Sequence, residues 1–136
     1  MFLDTSGLYC YLDAADARHG DAVALLDTAT KRLTHNYVLA ELVALCNARG
    51  MALQVTLDFV GGLADDPDVD LLWVGREDHV AGMDLLRNRP DKSYSLCDAV
   101  SFLLMRQRGL TEAFTTDRHF EQEGFVRLLR TQQAGG

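Results

Sequence analysis

Four acidic residues stand where a carboxylate is not the ordinary choice. Asp4 follows directly on the apolar pair Phe2-Leu3, and Asp117 closes the run Ala113-Phe114-Thr115-Thr116. Glu41 lies inside Val38-Leu39-Ala40-Glu41-Leu42-Val43-Ala44-Leu45, with Val38 and Leu45 as its neighbours three back and four on. On a helix it therefore borders an apolar stripe. Asp98 has Ser101 and Phe102 one turn on and Met105 beyond them, which aims it toward a mostly buried face. Each has a plain structural alternative. Asp4 and Asp117 can accept from turn or helix-start amides, Asp98 can be the capping-box partner of Ser95, and Glu41 can be an edge residue with its stem on apolar surface.

If the four converge, two charges held about 4 Å apart repel by about 4 kcal/mol at an effective dielectric near 20. Such a cluster either shares protons or is neutralised by a divalent cation, and an all-oxygen donor set suits the hard ions Mg²⁺ and Mn²⁺. Neutralisation by a cation is the favoured outcome. The chemistry it serves is activation of water and stabilisation of charge on a phosphodiester during in-line displacement. Thr5, Ser6, Ser95 and Thr116 are placed to orient the carboxylates or waters.

Positioning these acids requires alternating strands and helices. Phe2-Leu3 reads as the end of a short buried strand, and Asp4-Thr5-Ser6-Gly7 as a turn into a helix through Leu8, Tyr9 and Leu12. Ala22, Val23, Leu25, Leu26 and Ala29 recur at helical spacing, residues 32–35 form a short strand, and Asn36 is the N-cap candidate for a helix over 37–49 closed by Gly50. A helix over 51–63, a strand over 69–74 carrying Trp73, and a helix over 77–89 ended by Pro90 follow. Ser95 opens a helix over 96–108, and strands at 113–115 and 126–129 complete the chain. This order predicts an α/β fold: a three-layer sandwich whose central, mostly parallel sheet of about five strands is flanked by helices. Active sites of such sheets lie beyond the carboxyl ends of the strands, where Asp4 and Asp117 fall.

The pattern resembles the PIN-domain ribonucleases, and within them the VapC type of toxin from bacterial toxin–antitoxin pairs. The resemblance runs over nearly the whole chain. It is carried by Leu3-Asp4-Thr5-Ser6, Asn36-Tyr37-Val38-Leu39-Ala40-Glu41, Tyr94-Ser95-Leu96-Cys97-Asp98-Ala99-Val100-Ser101-Phe102 and Phe114-Thr115-Thr116-Asp117-Arg118-His119-Phe120, with Gly124-Phe125 after the last. It implies that Asp4, Glu41, Asp98 and Asp117 form an acidic site for Mg²⁺ or Mn²⁺, with Asp4 and Asp98 as the first direct ligands. It also implies hydrolytic endonuclease activity on RNA, a homodimer, and an antitoxin that occupies the site. Only Met1, Phe2 and Leu3 precede Asp4, fewer residues than is usual in the family. Either the central strand is short or the native N-terminus is longer.

Composition sets the limits. The 136 residues suit one domain, taken as 1–130, with 131–136 expected to be a flexible tail. With 48% hydrophobic and 24% charged residues and 2 prolines, the chain is neither disordered nor a linker. The net charge of -7 excludes an indiscriminate grip on nucleic acid, so an RNA partner must be met by a local patch. Arg87, Arg89 and Lys92 are the candidate patch, with a solvated helix end as the alternative. Arg118 and His119 either touch a phosphate or are solvated or paired with Glu121 and Glu123. Cys10, Cys46 and Cys97 show no CxxC spacing, the N-terminus does not read as a secretion signal, and no apolar run is long enough to span a bilayer. A reduced, cytoplasmic protein is expected. Cys97 is assigned to packing, and Trp73 to the core or a dimer contact, without a function. Two other functional classes stay open: a non-catalytic PIN-like module docking a basic partner peptide in its acidic pocket, and a phosphotransferase using Asp4 as nucleophile. Ser6 stands where the second acid of the latter would be.

Overall fold

The computed structural model describes residues 1–130; the expected tail at 131–136 lies outside them. The elements are β1 (Phe2–Leu3), α1 (Thr5–Leu12), α2 (His19–Thr28), β2 (Arg32–His35), α3 (Asn36–Ala48), α4 (Leu53–Asp65), β3 (Val69–Leu72), α5 (Arg76–Arg87), α6 (Leu96–Gln107), β4 (Glu112–Phe114), α7 (Arg118–Gln122) and β5 (Val126–Arg127). The strands form one sheet in the order β3-β2-β1-β4-β5, and every pairing is parallel. Helix α1 packs on α2 and α3, and α3 on α4; α5 packs on α6, and α6 on α7. The sheet is thus sandwiched as the alternation of elements predicts.

The chain leaves β1 toward β2 and β3 on one side and later returns to place β4 on the other. The junction of β1 with β4 is therefore the topological switch point, where an α/β sheet opens a crevice at its carboxyl edge. Although β1 has only two residues, it is anchored by burial. Phe2 and Leu3 are fully enclosed, and the Phe2 ring meets Phe120 at 6.1 Å and His35 at 5.6 Å between centroids.

Several local expectations are corrected. The turn expected at Thr5-Ser6-Gly7 is already the first turn of α1, with Asp4 as its N-cap. Gly7 has a packing role: a Cβ there would sit 2.1 Å from the Phe114 carbonyl oxygen, so only glycine lets α1 ride against the end of β4. Asn36 is not the cap of α3. His35 is, its ring accepting from the Val38 amide at 3.4 Å, while Asn36 Oδ1 accepts from the Val74 N–H at 2.6 Å and fastens β3 to the start of α3. β3 ends at Leu72, and Trp73 beyond it is 74% exposed rather than part of the core.

An ion-pair hub around the nearly buried Glu123 carboxylate holds the last third of the chain together. Glu123 accepts from Arg89 at 3.2 Å, Arg106 at 3.0 Å and Tyr94 at 2.9 Å, tying the end of α7 to both flanks of α6. Burial opposes ionisation of Glu123, but these three donors hold its carboxyl below the usual range.

Replacing Gly7 with alanine should push α1 off β4. Gly7→Ala is expected to lose about 2 kcal/mol or more in chemical denaturation. An unchanged midpoint and slope would contradict the close approach.

Candidate active site

Asp4 sits at the carboxyl end of the central strand and is 3% exposed. The register that pairs Leu3 with Phe114 puts Asp4 level with Thr115, and the ladder continues through the Asp4 N–H donating to the Phe114 carbonyl at 3.2 Å. The Thr115 hydroxyl donates to Asp4 Oδ2 at 2.7 Å, and Ser6 Oγ lies 3.2 Å from the same oxygen and 3.0 Å from Thr115 Oγ1. Burial pushes the Asp4 carboxyl up to about 7; the Thr115 bond opposes this, and the charges of Asp98 and Glu41 reinforce it.

Asp98 is 7% exposed and closes the predicted capping box. Its amide donates to Ser95 Oγ at 3.0 Å, and the Ser95 N–H donates to Asp98 Oδ2 at 3.1 Å. His119 Nδ1 lies 3.1 Å from the same oxygen and 3.3 Å from Asp117 Oδ2. Burial raises the Asp98 carboxyl above the ordinary range, the Ser95 and His119 hydrogen bonds resist, and Asp117 adds repulsion. Asp117 caps α7, accepting from the His119 amide at 2.9 Å, while its own N–H donates to Thr115 Oγ1 at 3.0 Å.

Glu41, half-buried on α3, enters through its field, which acts on Asp4 and on the Cys97 thiol. Ligand atoms of Asp98, Asp117 and His119 lie within 4.8 Å of one another. The four acids thus belong to one neighbourhood, with Asp98 and Asp117 in direct juxtaposition and Asp4 coupled to Asp98 and Glu41.

The hydroxyls divide differently from expectation. The Ser6 hydroxyl bonds to the Asp4 carboxylate, whereas Ser95 reaches Asp98 Oδ2 through its backbone N–H while its Oγ accepts from the Asp98 amide, and Thr116 enters through its backbone N–H, which donates to Ser6 Oγ at 3.0 Å. Thr5 Oγ1 is buried without a hydrogen-bond partner. Two participants lie outside the expected set. Thr115 orients Asp4 and Asp117 together, and a polar residue closing an otherwise buried strand was its available signal. His119 bridges Asp98 and Asp117 instead of pairing with Glu121 or Glu123, which are taken by arginines. Cys97 is buried, and burial followed by the fields of Glu41, Asp4 and Asp98 drives its thiol far up, away from any nucleophilic role. Arg87, Arg89 and Lys92 each have a carboxylate partner, in Asp84, Glu123 and Asp91. A cavity of about 550 Å³ opens at the opposite, amino end of the strands, lined by Met1, Arg32, Asp70 and Arg108 among others and by none of the four acids.

A parallel sheet with carboxylates gathered at its switch point defines a class of protein, and the comparisons agree. The PIN-domain family profile matches residues 1–125, and the chain belongs to that family. It is similar to the 23S rRNA-specific endonuclease VapC20 of Mycobacterium tuberculosis, from strains CDC 1551 and H37Rv alike, with 32% identity over 94% of this chain and 97% of the relative. The crystal structure of M. tuberculosis VapC20, described as a sarcin–ricin loop cleaving toxin, superposes with a TM-score of 0.84 and 30% identity, covering 92% of this chain and 95% of that one.

Because the folded state raises the Asp4 carboxyl from 3.8 to about 7, the folded chain keeps a proton there that the unfolded chain gives up. Its stabilising share is full below about pH 4 and is lost as pH rises to about 7, on the order of 4 kcal/mol in all. In EDTA, Asp4→Asn should therefore be more stable than wild type at pH 8, with the gap narrowing toward pH 5. Equal pH slopes of the thermal midpoint in the two proteins would contradict this.

Proposed function

We propose that the protein is a metal-dependent endoribonuclease that hydrolyses phosphodiester bonds in RNA as the toxin of a toxin–antitoxin pair. The observation that carries this reading is the gathering of Asp4, Glu41, Asp98 and Asp117 at one edge of the sheet, two of them nearly fully buried. Burying several carboxylates together is unfavourable unless a cation joins them.

The donor set fits Mg²⁺ or Mn²⁺. The hydrogen bonds from Ser6 and Thr115 both land on Oδ2 of Asp4, and those from Ser95 and His119 on Oδ2 of Asp98, leaving an Oδ1 in each for an ion. The orphaned Thr5 hydroxyl offers a further group to a bound water. Asp4, Asp98, Asp117 and Glu41 would hold the ion, which when bound activates water and neutralises charge on the scissile phosphate. Thr115, bonded to both Asp4 and the Asp117 amide, keeps two of these acids in fixed relation. Ser95 fixes the rotamer of Asp98, and His119 stands between Asp98 and Asp117.

The similarity to VapC20 makes 23S ribosomal RNA the first substrate to test. A cognate antitoxin is the protein partner, and a homodimer is the working state. The exposed Leu53, Val55 and Leu57 of α4 offer the second copy an apolar surface. A monomer's mass in sedimentation at micromolar concentration would remove the dimer from this reading. The three cysteines are free and buried, in keeping with the reducing cytoplasm.

Purified protein with Mn²⁺ or Mg²⁺ should cleave RNA, EDTA should stop it, and Asp98→Asn should lower the rate by about 10²-fold or more. Cleavage by the variant at the wild-type rate would reject the role of Asp98. Partner binding without metal affinity or cleavage would identify a docking module instead.

A further inference from the structure

We infer that the RNA strand crosses the carboxyl edge of the sheet on a track running from Trp73 and Arg76 over the acids to Arg118, with Trp73 stacking on an unpaired base next to the cleavage site. The inference rests on the nuclease reading above and adds the residues that hold the substrate.

The first ground is the position of Trp73. Register pairs His35 with Leu72 and Phe2 with Leu33, so Leu72, His35 and Asp4 stand level across three neighbouring strands. Trp73 extends one residue beyond that line, two strands from Asp4, a lateral separation of about 10 Å at ordinary strand spacing. Its backbone is fixed on both sides, by the β2–β3 ladder before it and by the Asn36–Val74 hydrogen bond after it. Yet its ring is 74% exposed, well above the next large apolar side chain, Leu53 at 56%. A solvent-facing indole on an anchored stretch of backbone suits base stacking, and stacking is tolerant of which base it meets.

The second ground is charge. A chain of net charge -7 repels RNA unless local cations meet the backbone. Among the described residues, the Lys and Arg side chains that enter no ion pair with a carboxylate are Lys31, Arg49, Arg76 and Arg118. Lys31 lies before β2 at the amino edge, and Arg49 lies over the Tyr9 ring. Arg76 and Arg118 remain, both exposed, and both are first residues of helices that leave the carboxyl edge. Arg76 is three residues after Trp73, and Arg118 is next to Asp117. The free cations thus bracket the acids at the one edge where the aromatic platform stands, a distribution suited to an anionic strand.

Trp73 is the only tryptophan, so its emission reports the track directly. An unstructured, fluorescein-labelled RNA oligonucleotide in EDTA should quench Trp73 emission over the concentration range that raises the label's anisotropy. Trp73→Ala should weaken binding about tenfold, Trp73→Phe should recover most of the loss, and Arg76→Gln and Arg118→Gln should each weaken it and flatten its salt dependence. Anisotropy rising without quenching, or variants that bind like wild type, would overturn the track, as would emission that changes with protein concentration alone because a second copy covers Trp73. Addition of Mn²⁺ to the same complex separates the two readings. Quenching with cleavage of neither the oligonucleotide nor 23S ribosomal RNA sinks the nuclease assignment, whereas cleavage with no dependence on Trp73 sinks only the track.

Discussion

Repulsion among buried carboxylates is the constraint around which this molecule is arranged. Removing one carboxylate from water already disfavours its charge, and placing others beside it compounds the cost. Asp4 shows both effects, enclosed by the protein and facing the fields of Asp98 and Glu41. The protein holds it there with a hydrogen bond from Thr115, which also accepts from the Asp117 amide. A chain selected only for stability would have an apolar residue or an asparagine at that position. The unfavourable charge therefore points to function.

The rest of the fold serves to hold these oxygens against their repulsion. Three of the four acids stand at helix starts. Asp4 and Asp117 occupy N-cap positions, and Asp98 is the third residue of a capping box. Gly7 lets α1 close on β4, bringing Ser6 to both Thr115 and the Thr116 amide. The Glu123 hub ties α7, which carries His119, to the flanks of α6, which carries Asp98. Sites on short, capped helices at the end of a buried sheet are more exact than sites on free loops.

Much of this was legible in the sequence. The order of strands and helices, the acids at strand ends and the Ser95–Asp98 box all rest on local signals, namely periodicity, composition and cap spacing, and these appear where the pattern placed them. What stayed hidden depends on contacts between distant segments. Asn36 carries a good cap side chain, but β3 takes its Oδ1, and the buried ring of His35 does the capping instead. Trp73 reads as core or a dimer contact because a strand is expected to continue through it; β3 stops one residue earlier and the side chain is exposed, which removes the core reading. The basic group at Arg87, Arg89 and Lys92 seemed free until tertiary structure supplied Glu123 and local turns supplied Asp84 and Asp91.

The central claim is that these carboxylates are assembled to bind a divalent cation. Calorimetric titration of EDTA-stripped protein with Mn²⁺ at pH 8 tests it without RNA. The account predicts saturable binding in wild type that is lost or greatly weakened in both Asp4→Asn and Asp98→Asn, each still folded by circular dichroism. Absence of binding in the wild-type protein, or equal binding by all three, would contradict it.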